Sequence, residues 1–227
     1  MQKEWSELNK TLQLQLKKEA TYKEGINTLL LLRKTLMEEL LTLKKKLKRE
    51  EFDAIPFINA NGYHSKTIAY SMWHIFRIED IVAHSLIKGD EQIFFLGDYK
   101  ARIQSPIITT GNELVKEQIA EFSRQLDIEE LYQYMKEVKD SSDQLLLDLS
   151  YTDLKRKMTE EKKAYVSLLH VVSAEENAHW LIDYWCKKDV RGLLQMPFSR
   201  HWIMHVEAIG RIKNKILEEK NRADLKK

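Results

Sequence analysis

The sequence predicts an all-α protein, and two observations carry this prediction. The 227 residues include only seven Gly and three Pro, so few positions favour tight turns or interrupt a helix. Leucines also recur at spacings of three and four residues, in the series Leu29, Leu32, Leu36, Leu40, Leu43 and Leu47. This spacing places the leucines on one face of a helix, as in helices that pack into bundles.

Further helices are predicted from apolar periodicity and from start and stop residues. An opening stripe of Trp5, Leu8, Leu12 and Leu16 predicts a helix that docks on the main body or on a partner chain. A well-buried helix is expected over 65–88, with Gly89 just beyond its end. Other helices are expected from a capping box at Thr110 and Glu113 to 126, over 127–149, over 165–185, and from Ser199 onward.

Charge and cysteine content exclude several classes of protein. The 37 basic and 35 acidic residues are mixed along the chain and give a net charge of +2, so nucleic acid is not an expected partner. Cys186 is the single cysteine, which rules out an intramolecular disulfide framework. No apolar run approaches the roughly 20 residues of a membrane span, and residues 1–20 do not resemble a signal peptide. A cytoplasmic protein without membrane contact is therefore expected.

The first candidate for chemistry is the pair His201 and His205, four residues apart in a helix that Ser199 would begin. Their side chains lie about 40° apart around the helix axis, so both imidazoles project from one face. Neutral imidazoles held in this way can share a metal ion. The alternative is that both rings form a wall of the core beside Trp202 and Ile209.

A second candidate lies in the predicted helix over 165–185. Glu175 and Glu176 precede His179 by four and three residues, which puts each carboxylate beside the imidazole on one face. Glu-x-x-His is also the spacing of ferritin-like di-iron bundles, but that site needs the motif twice and the chain has it once. Alternatively, one glutamate only orients a buried His179 through a hydrogen bond.

A third candidate, His74, lies on the apolar helix predicted over 65–88. A buried ionisable side chain needs a polar partner, and Arg77, Glu79 and Asp80 are close enough along the chain to provide one. His74 is therefore either a hydrogen-bonded histidine of the core or a metal ligand.

Three of these segments together resemble the DinB-like four-helix bundle family. They are 73–80 (WHIFRIED), 175–180 (EENAHW) and 199–205 (SRHWIMH). The likeness spans residues 22–215, which leaves 1–21 as an N-terminal helical extension and 216–227 as a charged tail. It implies a bundle in which three histidines bind a divalent metal, most often zinc or nickel.

The resemblance assigns His74 as one ligand by its motif. The other two family ligands form His-x-x-x-His in the later helix, where this sequence has Glu175 and His179. Glu175 then replaces one histidine, or His201 and His205 complete the site with His74 or His179. In a third possibility the metal is lost and a polar network remains in the core.

The resemblance also implies a range of functions. Some members of the family are thiol-dependent transferases or metal-dependent hydrolases of small molecules, in which a metal activates water or a thiolate. Glu176 or Glu175 would be the general base. The alternative is a non-catalytic bundle that acts by dimerisation or partner binding, and the leucine-rich first helices are compatible with a homodimer. No nucleophile elbow, phosphate-binding glycine loop or Cys-x-x-Cys occurs.

Overall fold

Helices make up the regular structure of residues 3–225, which are the residues that the computed structural model describes. The α-helices are α1 (Lys3–Gln15), α2 (Tyr22–Lys46), α3 (Ile68–Asp80), α4 (Ile93–Leu96), α5 (Tyr99–Arg102), α6 (Glu117–Gln125), α7 (Ile128–Asp148), α8 (Glu160–Leu168), α9 (Trp180–Cys186), α10 (Val190–Gln195) and α11 (Arg200–Asp224). No strand occurs within these residues, where one isolated bridge joins Lys157 and Asp189. The predicted all-α class is confirmed.

Four long helices form the body of the fold. Each of them packs against the next in the ring α2, α11, α3, α7, and α7 closes the ring on α2. Helix α1 packs along α2 and buries Trp5 and Leu12 in the same core. At the other end of the chain α11 continues to Asp224 and buries Ile216. The division of the chain at residues 21 and 215 stays a prediction.

Helix α3 is the central helix, because every one of its thirteen residues is buried. It begins at Ile68, three residues later than predicted. The preceding residue, Thr67, caps the helix, because its hydroxyl oxygen accepts a hydrogen bond from the Tyr70 amide. The helix continues as a π-helical turn over Ile81–Lys88 and ends at Gly89, which has φ +83° and a left-handed conformation. The predicted end of this helix is confirmed.

Two predicted helices are shorter than expected. Between 110 and 126 the helix begins only at Glu117, and the predicted cap residue Thr110 bonds instead to Asn112. The predicted helix over 165–185 is broken between α8 and α9, where His170 has φ +51°. The β-branched pair Val171 and Val172 disfavours helix, and burial of both side chains holds this connection against the body.

No helix between residues 3 and 225 has both the length and the apolar composition needed to cross a membrane.

Candidate metal centre

Three histidines from two neighbouring helices meet in the core. His74 comes from α3, and His201 and His205 come from successive turns of α11. The ring centroid of His74 lies 5.1 Å from that of His201 and 4.9 Å from that of His205, and the two α11 rings are 4.6 Å apart. One ligand nitrogen from each ring lies within 4.8 Å of the other two. We call these three residues the histidine trio.

The start of α11 brings its histidines to this face. Helix α11 begins at Arg200, directly after Ser199, as predicted. The Ser199 hydroxyl does not cap the helix, however, because it donates to the Gln195 carbonyl at 3.0 Å. The aromatic ring of Trp202 instead fixes the helix by packing edge-on against Phe76 of α3, with 4.6 Å between ring centroids.

Backbone carbonyls of residues 108–111 orient the side chains of α3. Four consecutive carbonyls accept hydrogen bonds from α3 side chains: Ile108 from Arg77, Thr109 from Trp73, Thr110 from His74 and Gly111 from Tyr70, at 2.7–3.2 Å. We call residues 108–111 the carbonyl strap. A carbonyl can only accept, so Nδ1 of His74 carries the hydrogen and Nε2 keeps its free lone pair.

The histidines of α11 lack partners of this kind. Among residues 3–225, Nδ1 of His201 and both ring nitrogens of His205 are buried without a hydrogen-bond partner. The three histidines are only 3–5% exposed, so bulk water has little access to their ring nitrogens. Buried polar atoms without partners are rare in folded proteins, which makes this cluster an exception that needs an explanation.

The trio is neutral at physiological pH. Burial lowers the pKa of His74 to about 4, although the hydrogen bond to the Thr110 carbonyl acts to raise it. Burial lowers the pKa of His201 well below its ordinary value, and the neighbouring His74 adds to this shift. Burial acts in the same direction on the pKa of His205, with further contributions from His201 and His74. The free lone pairs are therefore available as ligands.

The donor set fits a divalent metal ion. Neutral imidazole nitrogens suit zinc, nickel and related ions, and three protein ligands with an open fourth position are typical of catalytic zinc sites. Such an ion would bind one nitrogen of each ring, so it could satisfy one orphaned nitrogen of His201 and one of His205. Within residues 3–225 the trio is the one group of three potential ligand side chains that lies this close together. The three buried histidines could thus hold a metal ion.

The predicted set that combined His74 with Glu175 and His179 is not formed. Glu175 and His179 are exposed in the connection between α8 and α9, and no group of three ligand side chains in the described part of the chain includes them. Nδ1 of His179 instead lies 3.2 Å from the Glu175 carbonyl oxygen. Glu176, the predicted general base, is exposed in the same connection. The expected helix that would have aligned these residues is the one broken at His170.

Other polar residues near the trio carry no sequence motif. The Tyr70 ring stacks on His74 with centroids 5.5 Å apart, and Lys66 Nζ lies 5.1 Å from the centroid of the Tyr70 ring. The Tyr63 ring meets His205 edge-on at 4.8 Å. Residues 63–70 directly precede or begin α3. Their closeness in sequence to His74 was therefore the one feature from which their position near the trio could have been predicted.

An ionic cluster lies further along the same helices. Arg33 of α2 donates two hydrogen bonds to Glu79 of α3 and one to Asp143 of α7, each at 2.7 Å. The indole nitrogen of Trp202 donates to the same Glu79 carboxylate at 2.7 Å. Burial alone would lower the pKa of Arg33, but Glu79 and Asp143 raise it above its ordinary value. These four residues, which we call the arginine cluster, connect all four long helices.

A scan of protein-family models finds none that matches this chain, and no curated protein matches it either.

Proposed function

We propose that this protein binds one divalent metal ion, zinc or nickel, through His74, His201 and His205. The observation that carries the proposal is that three neutral, buried imidazoles converge while His201 and His205 leave ring nitrogens without a partner. A metal ion is the ligand that accepts lone pairs from all three rings at once. The fixed tautomer of His74 supports the same proposal, since a backbone carbonyl on the second ring nitrogen is typical of metal-binding histidines.

We further propose a metal-dependent transferase or hydrolase that acts on a small molecule. The resemblance to the DinB-like family supports this reaction class, because that family combines one histidine of an early helix with His-x-x-x-His of a later helix. In this chain His74 and the α11 pair have that arrangement. A bound divalent ion would supply Lewis-acid activation of a water molecule or a thiolate in its open position.

The side chains around the trio would prepare it for this chemistry. The Thr110 carbonyl holds the His74 ring in one orientation and one tautomer. Tyr70 and Tyr63 cover two of the three imidazoles and restrict the access of water to them. The proposal does not use Glu176 as the base, because that carboxylate lies exposed outside the trio. A cytoplasmic location and a homodimer stay predictions.

Metal analysis of protein purified without a histidine tag tests the metal site. We expect about one zinc or nickel per chain, and loss of that metal in each of the variants His74→Ala, His201→Ala and His205→Ala. His179→Ala is the matched control, because it removes an exposed histidine that the sequence also proposed as a ligand. Substoichiometric metal that the trio variants leave unchanged would refute the site.

The reaction class needs a separate experiment. Metal-loaded and metal-free protein are incubated with an electrophile and low-molecular-weight thiols, and in parallel with activated esters and amides. We expect adduct formation or hydrolysis above the metal-free control, and the same loss of rate in the three trio variants. Metal binding without any such rate would leave a structural metal site and would contradict the enzymatic part of the proposal.

A further inference from the structure

Lys66 places a positive charge beside the trio. Its ammonium group lies over the ring of Tyr70, and that ring stacks on His74 with an angle of 10° between the two planes. The charge is close enough to contribute to the lowered pKa values of both His74 and His205, in which burial is the larger cause. Lys66 therefore contacts the tyrosine that stacks on one histidine of the trio.

No anionic partner accompanies this charge. Within residues 3–225 the half-buried Lys66 forms no ion pair and no hydrogen bond, and its ammonium group lies over the face of the Tyr70 ring. Several other half-buried lysines have a polar partner: Lys139 pairs with Asp143, Lys220 pairs with Glu51, and Lys162 donates to two backbone carbonyls. Lys188 resembles Lys66, because it lies over the Tyr184 ring without an ion pair in the same range of residues. A partly desolvated ammonium without an acid is unfavourable unless a ligand supplies the missing charge.

A second tyrosine beside the trio, Tyr63, belongs to the same part of the chain as Lys66. Tyr63 meets His205 edge-on while 39% of the tyrosine remains exposed, so its ring extends from the trio to the surface. Tyr63 and Lys66 belong to the same connection, which lies between the turn Arg49–Glu51 and α3. The exposed Arg200 adds a second positive charge near Tyr63, where it partly opposes the rise in the pKa of Tyr63 caused by burial. Two cations, Lys66 and Arg200, thus lie near the two tyrosines that contact the trio.

We propose that Lys66 binds the carboxylate of a small organic anion whose second donor atom occupies the open position on the metal. This inference rests on the proposed function, since it assumes a metal at the trio. Lys66 and the metal together would hold such a molecule at two points, which fixes its orientation. The substrate class is then a carboxylate-bearing small molecule with a metal-binding group near the carboxylate.

Thiol binding to the cobalt-loaded protein tests this inference. Cobalt(II) replaces zinc as a spectroscopic probe, and binding of a thiolate to it is followed by its charge-transfer absorption. Mercaptoacetate and 2-mercaptoethanol are compared because they differ chiefly by one carboxylate. We expect Lys66→Met to lower the affinity for mercaptoacetate by about tenfold, because one charged hydrogen bond is lost. The affinity for 2-mercaptoethanol should change by less than about twofold.

Three further variants complete the experiment. Lys66→Arg should keep most of the preference for mercaptoacetate, and Lys45→Met, which removes an exposed lysine of α2, should keep all of it. Lys66→Gln replaces Lys66→Met if the latter does not fold. A preference for mercaptoacetate that survives in Lys66→Met or Lys66→Gln belongs to the metal alone and overturns the role of Lys66. Failure of the wild-type trio to bind cobalt, in contrast, overturns the proposed metal site and this inference together.

Discussion

The arginine cluster and the histidine trio are two polar groups in one core, and they differ in how fully their atoms are paired. In the arginine cluster, three nitrogens of the Arg33 guanidinium donate to carboxylates, and the same Glu79 carboxylate also accepts from the Trp202 indole. In the trio, three ring nitrogens have no partner among the described residues. A completed polar network specifies packing, whereas an incomplete one remains available for a ligand.

The two clusters also depend on each other through the helices they share. Glu79 follows His74 on α3 by five residues, and Trp202 is the neighbour of His201 on α11. The hydrogen bond between Trp202 and Glu79 therefore fixes how α11 lies along α3. The paired cluster holds the two helices in the register that brings the unpaired rings together.

The largest expected effect is from breaking the arginine cluster. Arg33→Met leaves the fully buried Glu79 without its cation, so we expect the free energy of unfolding to fall by about 3–5 kcal/mol. Chemical denaturation measures this loss. Lys34→Met is the matched control, since Lys34 is exposed and should change stability by less than about 0.5 kcal/mol. A similar small change in Arg33→Met would show that the cluster does not hold the helices together.

The next effect distinguishes the trio from the arginine cluster by its response to metal. Zinc at 100 times its dissociation constant should raise the free energy of unfolding of the wild type by about 2.7 kcal/mol, because only the folded chain assembles the site. His205→Leu should lose this increase, and without metal it should be at least as stable as the wild type, since it removes two buried unpartnered nitrogens. The measurement is thermal or chemical unfolding with and without zinc. Equal stabilisation of both proteins would place zinc elsewhere on the chain.

A smaller effect is expected from pH in the metal-free protein. The unfolded histidines titrate near pH 6.5, while burial keeps the pKa of His74 at about 4 and that of His205 well below its ordinary value. Between these values the unfolded chain binds more protons than the folded one, so stability falls as pH falls from about 6.5 towards 4. His205→Leu should reduce this slope by about 1.4 kcal/mol per pH unit. Identical slopes in both proteins would indicate that His205 protonates freely in the fold.

The smallest effect is expected from changing a side chain of the carbonyl strap. His74 bonds to the backbone carbonyl of Thr110, and the Thr110 hydroxyl bonds to Asn112 instead. Thr110→Ala should therefore change zinc affinity by less than about twofold, although Thr110 lies beside the site. Competition with a chromogenic chelator measures this affinity. A large loss would mean that the side chain, and not the carbonyl, orients His74.

The sequence predicted the helical class, the ends of several helices and all three residues of the trio as candidates. It left open which residues complete the site with His74. Glu175 and His179 do not meet His74, because they were assigned to a continuous helix that the structure breaks at His170. Periodicity describes one helix at a time, and the burial of Val171 and Val172 that competes with helix formation is a tertiary effect. Arg33 and Lys66 were not singled out, because a lysine or an arginine among many others has no local pattern to mark its partner.

The carbonyl strap has a consequence for how sequences related to this one should vary. Its four hydrogen bonds use main-chain oxygens, which any residue provides, while the donors Tyr70, Trp73, His74 and Arg77 are side chains. Substitutions should therefore accumulate more freely at 108–110 than at the four donor positions, even though both sides of each bond belong to the same contact between the strap and α3. At 111, where glycine has φ +79°, the backbone itself restricts the choice.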